Sequence, residues 1–231
     1  MFKKTCSILQ PHYLPWIGYF DLIKRSDVFV FLDDVQYIKR EWKNRNKIRK
    51  NPKSEEVKWL SVPIDKKSQK KNINEVEVFR EDNEWRKQHI IYIKETYQFS
   101  PHFDEFSEGV FSIIKDEKIK NLCELNVKLI SKACDFFSIK KNFCYSSEFG
   151  LKEKREFKLL EICKKLNCDN FLANNRTLDY ADVKIFSGNN INIKAQDYHP
   201  EKYKQKYNDI TLPWIPFLSW VDYIFNKGNK L

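Results

Sequence analysis

At 231 residues, with 42% hydrophobic and 15% aromatic content, the chain can bury one good core, and its sequence reads as a single domain over 1–231. No apolar run reaches 18 residues, which excludes a transmembrane helix, and the run after Lys3 and Lys4 ends too early, at Gln10, for a signal peptide. The formal net charge of +10 comes from 34 Lys and only 8 Arg, a solvated-surface composition that argues against nucleic acid as the main partner.

The elements follow in chain order. Thr5 to Leu9 is a short apolar run cut off by Pro11 and Pro15, as a buried strand would be. Trp16 to Lys24 carries apolar residues at helical spacing. Val28 to Leu32, rich in β-branched and aromatic residues, is a second strand. A strand–helix–strand unit this short is a right-handed parallel crossover, so QPHYLP and DDVQY leave the same sheet edge, where open α/β sheets bind ligands. A third strand is expected at Val57 to Ile64, a Lys-rich solvated turn at Lys66 to Lys71, and a fourth strand at Ile73 to Phe79. Asn83 is placed to cap a helix in which Trp85, His89, Ile93 and Tyr97 recur every four residues. Helices are predicted at Pro101 to Ile114, Ile119 to Phe137, Lys152 to Leu166 and Tyr180 to Phe186. Short strands are predicted at Asn142 to Ser146, Asn170 to Ala173 and Ile191 to Gln196. Phe217 to Asn226 reads as a last helix, with Ser219 and Asp222 as its capping box and Gly228 as a left-handed C-cap. The predicted fold is α/β: a mostly parallel open sheet with an N-terminal β-α-β unit and helices packed around it.

The candidate chemistry concentrates in the first fifty residues. His12 lies in a loop between two prolines, beside Gln10 and Tyr13, and its imidazole can take a proton near neutral pH. Asp33 and Asp34 end the second strand; alternation sends them to opposite faces, one to the site and the other to a cap or a neighbouring base. From Lys39 to Lys53 there are eight basic residues against one acid, Glu41, with Trp42, Asn44 and Asn46 interleaved. Beside a helix N-terminus at Pro15 and Trp16, that suits a phosphate or pyrophosphate. Lys47, Lys50 and Lys53 read as solvated surface; Arg45, between two asparagines, does not. His89 shares an apolar helix face with Trp85, where a satisfied core histidine competes with a catalytic one. Cys6 sits inside a strand and is rejected as a nucleophile. Ser219 is rejected too, for want of a G-x-S-x-G elbow. The six cysteines lack paired C-x-x-C spacing and read as free thiols in a reducing cytosol. No cluster has metal-ligand spacing, so no metal is expected.

QPHYLPWIGYFDLI, followed by DDVQY and W-x-N-R-N, resembles the WbqC-like family of bacterial proteins. The likeness continues through WLSVPID at Trp59 to Asp65, Trp85 with His89, Ser146 with Ser147, DYHPEKYKQKY at Asp197 to Tyr207 and FLSWVDYIFNKG at Phe217 to Gly228. It departs after the strand near Phe171, where Ala173-Asn174-Asn175-Arg176 stands in place of a small Ser-Gly turn. The resemblance implies a setting in surface-polysaccharide (O-antigen) gene sets and a transferase that decorates sugars.

The expected enzyme is therefore a cytoplasmic acyl or aminoacyl transferase. A thioester on a carrier protein or coenzyme A would be the co-substrate, a nucleotide-linked amino sugar the acceptor, and no tightly bound cofactor is needed. His12, Asp34 and His89 are the candidate catalytic residues. Gln10, Tyr13, Trp16, Asp33, Gln36, Tyr37, Trp42, Asn44, Arg45 and Asn46 are the candidate substrate-binding residues. Two alternatives stand beside it. One is a nucleotidyl- or glycosyl-transfer enzyme using the same edge, although L-P-W-I-G-Y carries Trp16 and Tyr19 where such enzymes place histidines. The other is a non-catalytic module binding a carrier protein or nucleic acid.

Overall fold

The computed structural model describes residues 3–68, 70–79 and 83–231. The elements in the N-terminal half are β1 (Thr5–Leu9), α1 (Ile17–Arg25), β2 (Val28–Phe31), β3 (Arg45–Arg49), β4 (Val57–Ser61), α2 (Glu84–Tyr97) and α3 (Phe103–Lys115). After them come α4 (Leu122–Phe136), β5 (Asn142–Tyr145), α5 (Arg155–Lys165), β6 (Asn170–Ala173), α6 (Asn175–Leu178) and α7 (Val183–Ser187). The chain ends with β7 (Asn192–Ala195), β8 (Gln205–Tyr207), β9 (Ile210–Leu212) and α8 (Trp220–Lys227). They group into two compact units. The first holds the residues up to Gln10, with Gly18–Asp34 and Ile139–His199; the second holds Pro11–Ile17, Val35–Ser138 and Pro200–Leu231.

The first unit is an all-parallel five-stranded sheet in the order β5-β2-β1-β6-β7. The chain builds outward from β1 to β2 and β5, then returns to add β6 and β7 on the other side. That reversal puts a topological switch point between β1 and β6, as in doubly wound sheets. Alternation along the strands sorts the side chains onto two faces, and in β1, β2 and β6 both are covered, which is why those strands are mostly apolar. On one face Cys6, Ile8, Val30, Phe171 and Ala173 pack with Leu159, Ile162 and Cys163 of α5 and with Phe186 of α7. On the other, Phe29 and Phe31 lie in register with Phe143 and Tyr145. Their rings meet there, Phe31 to Phe143 at 5.1 Å, and Tyr19 of α1 closes on Phe29 at 5.5 Å. Each fully buried Phe contributes roughly 1.5–3 kcal/mol. The α/β expectation holds, with helices on both faces of the sheet. Cys6 is fully buried, and its contact with Cys163 (3.4 Å between sulfurs) together with burial holds its thiol well above the ordinary range. All six cysteines are free thiols.

The second unit combines an antiparallel hairpin, β3 with β4, with helices α2, α3, α4 and α8 and a small hairpin, β8 with β9. Aromatic contacts join its helices, Phe103 with Phe225 at 5.1 Å and Phe106 with Phe136 at 5.0 Å. A buried polar knot fixes the tail. Asp222, fully buried, accepts from the Tyr97 hydroxyl (2.9 Å), from Gln205 Nε2 (2.9 Å) and from the Tyr203 hydroxyl. Arg49, 1% exposed, donates to the carbonyls of Ser54 and Pro213 and to Gln205 Oε1.

Several local expectations are corrected. The basic loop contains a strand, β3, in which only Ile48 is apolar, so hydropathy does not reveal it; pairing with β4 creates it. Val57 to Ile64 joins that hairpin rather than the main sheet, and only Val57–Ser61 is strand. Ile73 to Phe79 is not a strand. Its start is a 3-10 turn, Ile73–Glu75, because the Glu75 carboxylate reaches back to the Asn72 N–H (3.1 Å). Within the Lys66 to Lys71 turn, Gln69 lies outside the described residues, and Lys66–Ser68 is a 3-10 turn. Asn83 precedes α2 without a side-chain cap bond. Ser219 does cap α8, through Val221 N–H, but Asp222 is drawn into the buried knot instead of a capping box. Gly228 has φ +78° with ψ −157°, a glycine conformation but not the left-handed helical one.

Candidate functional site

The loop after β1 is fixed by side-chain amides. Pro11 and Pro15 have no N–H, so this segment cannot join a ladder, and its carbonyls need donors from elsewhere. Asn126, a fully buried residue of α4, gives its Nδ2 to Pro11 O (3.0 Å) and to Lys43 O (2.7 Å). Asn46 Nδ2 reaches Leu14 O (2.8 Å) and Tyr13 O (3.3 Å). Tyr13 N–H donates to Trp42 O (2.9 Å). Leu14 takes a φ of +42°, strained for a residue with a side chain, and Asn46 grips the carbonyls on either side of it. The result ties His12, which is half-buried, to the Trp42–Asn46 segment within the second unit.

Past Trp42 the β3–β4 hairpin presents two different faces. Asn46, Ile48 and Leu60 point inward and are buried. Arg45, Lys47 and Trp59 share the outer face, Trp59 being 41% exposed. The Arg45 guanidinium carbon lies 4.4 Å above the Trp59 ring, and Trp42 meets Trp59 at 5.5 Å between centroids. Arg45 Nε, Asn44 Oδ1 just before β3 and Tyr37 Oη are buried without a hydrogen-bond partner among the described residues. Burial pushes the Tyr37 phenol up to about 12, against the pull of the Arg45 charge and with the push of Glu41. Lys43 is buried and paired with Glu41, and Arg49 is held in the tail knot, so neither is open to a ligand.

His89 is 4% exposed. Its Nδ1 lies 2.8 Å from the Tyr13 hydroxyl, and its other bond goes to the backbone of Ser61 in β4. Burial lowers its pKa to about 3; the Ser61 bond opposes that and the Arg86 charge adds to it. A neutral imidazole with Nε2–H on the Ser61 carbonyl leaves Nδ1 to accept from Tyr13. Of the other candidates in this unit, Trp16 packs edge-on against Phe217 (5.3 Å) and bridges to Ser219, while exposed Gln36 bridges to Asn72.

Asp33, Asp34 and Gln10 belong to the first unit, at the C-terminal edge of its sheet. The two aspartates do not diverge as strand alternation predicts, because β2 ends at Phe31 and both lie beyond it. Both carboxylates contact the buried Ser146 hydroxyl. Asp33 also accepts from Ser147 N–H (2.9 Å) and Ser147 Oγ (2.8 Å), fastening the end of β2 to the turn after β5. Asp34 pairs with Lys158 of α5 at 2.6 Å, their side chains 16% and 6% exposed. Gln10 is half-buried, and its carbonyl takes the Tyr19 hydroxyl (2.9 Å). Asn174, where the sequence departs from the expected Ser-Gly turn, caps α6 by accepting Thr177 N–H (2.8 Å).

A family model described as the WbqC-like protein family matches residues 10–231. The chain belongs to that family. It is 30% identical over 229 residues to "Uncharacterized protein Rv1507c" of Mycobacterium tuberculosis (strain ATCC 25618 / H37Rv), covering 98% of this chain and 95% of that one. No solved structure matches it significantly.

In this WbqC-like chain the fold thus gathers His12, Tyr13, Trp42, Asn44, Arg45, Asn46 and His89 in one unit and Gln10, Asp33 and Asp34 in the other. Sequence reasoning passed over Trp59, Lys158 and Asn126 as candidates. Trp59 lay in a stretch noted only for its likeness to the family, and Lys158 inside an amphipathic helix read for its apolar residues. Asn126 stood as one polar residue in the α4 stripe, where a buried amide is a detectable anomaly. Among the described residues no helix is long and apolar enough to cross a membrane, and no group of three or more His, Cys, Asp or Glu is placed to hold a metal ion.

Proposed function

We propose that this WbqC-like protein is a transferase in polysaccharide-related biosynthesis, the setting its family membership suggests. It moves an acyl or aminoacyl group from a thioester, on a carrier protein or coenzyme A, to the amine of a nucleotide-linked amino sugar. The amine nitrogen attacks the thioester carbonyl, the C–N bond forms as the C–S bond breaks, and the thiolate leaves. His12 takes the proton from the amine and returns one to the thiolate. The Tyr13 hydroxyl is engaged by His89 and does not donate to the oxyanion.

The observation that carries this reading is the clamp that ties half-exposed His12 to the basic, aromatic Trp42–Arg45 segment through Tyr13, Asn46 and Asn126. An imidazole on the same unit as groups suited to hold a phosphorylated acceptor supports that reading.

The test is to incubate the protein with a panel of nucleotide-linked amino sugars and acyl or aminoacyl thioesters. Sugar mass and free thiol are then followed together. A matched gain of acylated sugar and thiol supports the reading. Release of pyrophosphate or a nucleoside diphosphate instead would place the chemistry at the anomeric or phosphoryl centre. His12→Ala losing less than about tenfold, ~1.4 kcal/mol, would remove the general-base role.

A further inference from the structure

We propose that the outer face of the β3–β4 hairpin is a nucleoside diphosphate site, in which the base stacks on the Trp59–Trp42 pair and the diphosphate is held by Arg45 and Lys47. This rests on the transferase reading for its biological acceptor, and it adds to that reading the class of the group recognised.

Trp59 is large, apolar and 41% exposed, beside Arg45, Lys47 and Ser61 on the same face of the hairpin. The Trp42–Trp59 pair, with the Arg45 guanidinium over the Trp59 ring, offers flat indole and guanidinium surfaces of the kind on which bases stack, since every base has a π-face. The Arg45 guanidinium is already oriented against Trp59, so its planar fork is pre-set for two phosphate oxygens and little rotamer freedom remains to be lost. The Arg45 guanidinium and the Lys47 ammonium, both half-buried on this face, are donors fit for phosphate oxygens. Exposed Lys39 and Arg40 add positive charge beside them, and Glu41 is engaged with Lys43. A diphosphate fits this donor set better than a neutral sugar, and a single base fits one exposed indole better than a long strand does.

The site is tested by calorimetric titration of the full chain with UDP, ADP, GDP and CDP, beside uridine and inorganic pyrophosphate. At least one nucleoside diphosphate is expected to bind more tightly than either the free nucleoside or pyrophosphate. Trp59→Leu should weaken it about tenfold while leaving pyrophosphate binding unchanged. Arg45→Lys should weaken both, and Lys53→Ala neither. Thermal melts confirm that each variant is folded; both substituted side chains lie on the outer face. Failure of all four diphosphates to bind, or binding indifferent to both substitutions, overturns the site. So does salt-sensitive binding of a short RNA far above that of any mononucleotide. If a diphosphate binds as described and no acylated sugar forms, the transferase reading alone fails. If acylation proceeds equally in wild type, Trp59→Leu and Arg45→Lys, this site alone fails.

Discussion

The Tyr13 hydroxyl lies 2.8 Å from His89 Nδ1, across 76 residues of sequence, and both groups are buried. With Ser61 on the other side of the imidazole, this contact bolts the proline-bounded loop to α2 and β4. His89, read from the sequence as either core or catalytic, thereby holds the segment that carries His12. Tyr13→Phe removes the donor and leaves Nδ1 unsatisfied, which should cost ~1–3 kcal/mol. Chemical denaturation of the variant checks it.

His89 also sets a pH dependence. Its folded pKa, about 3, is below the ordinary value of 6.5, so the unfolded chain binds the extra proton between those limits. Stability from this group is complete above pH 6.5 and is lost as pH falls toward 3, by up to about 1.4 kcal/mol per pH unit. His89→Gln should flatten that part of an acid-unfolding profile. An unchanged slope would show that the imidazole is not buried neutral.

Asp222 acts in the opposite direction. Burial raises its carboxyl, while the Tyr203, Tyr97 and Gln205 hydrogen bonds and the Arg49 charge hold it down. With the folded pKa above 3.8, the native state keeps a proton that the unfolded chain has released, so stability from this group falls as pH rises through that window. Asp222→Asn should remove this fall while leaving the His89-linked rise. Melting temperatures of the two variants across pH 3 to 7 separate the contributions.

The buried Lys158–Asp34 pair should be intolerant of single truncation. Asp34→Ala leaves an ammonium unpaired beneath the sheet edge and should cost ~3–5 kcal/mol, whereas Lys158→Met with Asp34→Leu should recover most of it. Urea midpoints of the single and double variants decide. If Asp34→Ala melts like wild type, Lys158 has another partner.

Asn126→Ala and Asn46→Ala each remove a side-chain donor from two carbonyls. Each should destabilise the protein by ~1–3 kcal/mol. Both should also lower ligand affinity more than the equally buried Asp222→Asn does, because they release the His12 loop. Calorimetry at matched stability distinguishes the two effects.

The sequence by itself determined the main sheet. Thr5–Leu9, Val28–Phe31 and Asn170–Ala173 are buried on both faces, so local hydropathy is enough to mark them, and a crossover as short as α1 forces β1 and β2 parallel. It also marked the His12 loop and the Arg45 segment, because prolines and clustered arginines are conspicuous without any fold. Only the tertiary structure decided what those residues do. β3 exists because β4 pairs with it, not because RNKIR favours a strand. Asp222 left the capping box because Tyr97, from 125 residues away, donates to it where both groups are buried. Trp59 came to lie under Arg45 by the diagonal of an antiparallel register that neither segment encodes alone. In each case the deciding energy is a pairing between groups distant in sequence, and that is set by which of them the fold brings together.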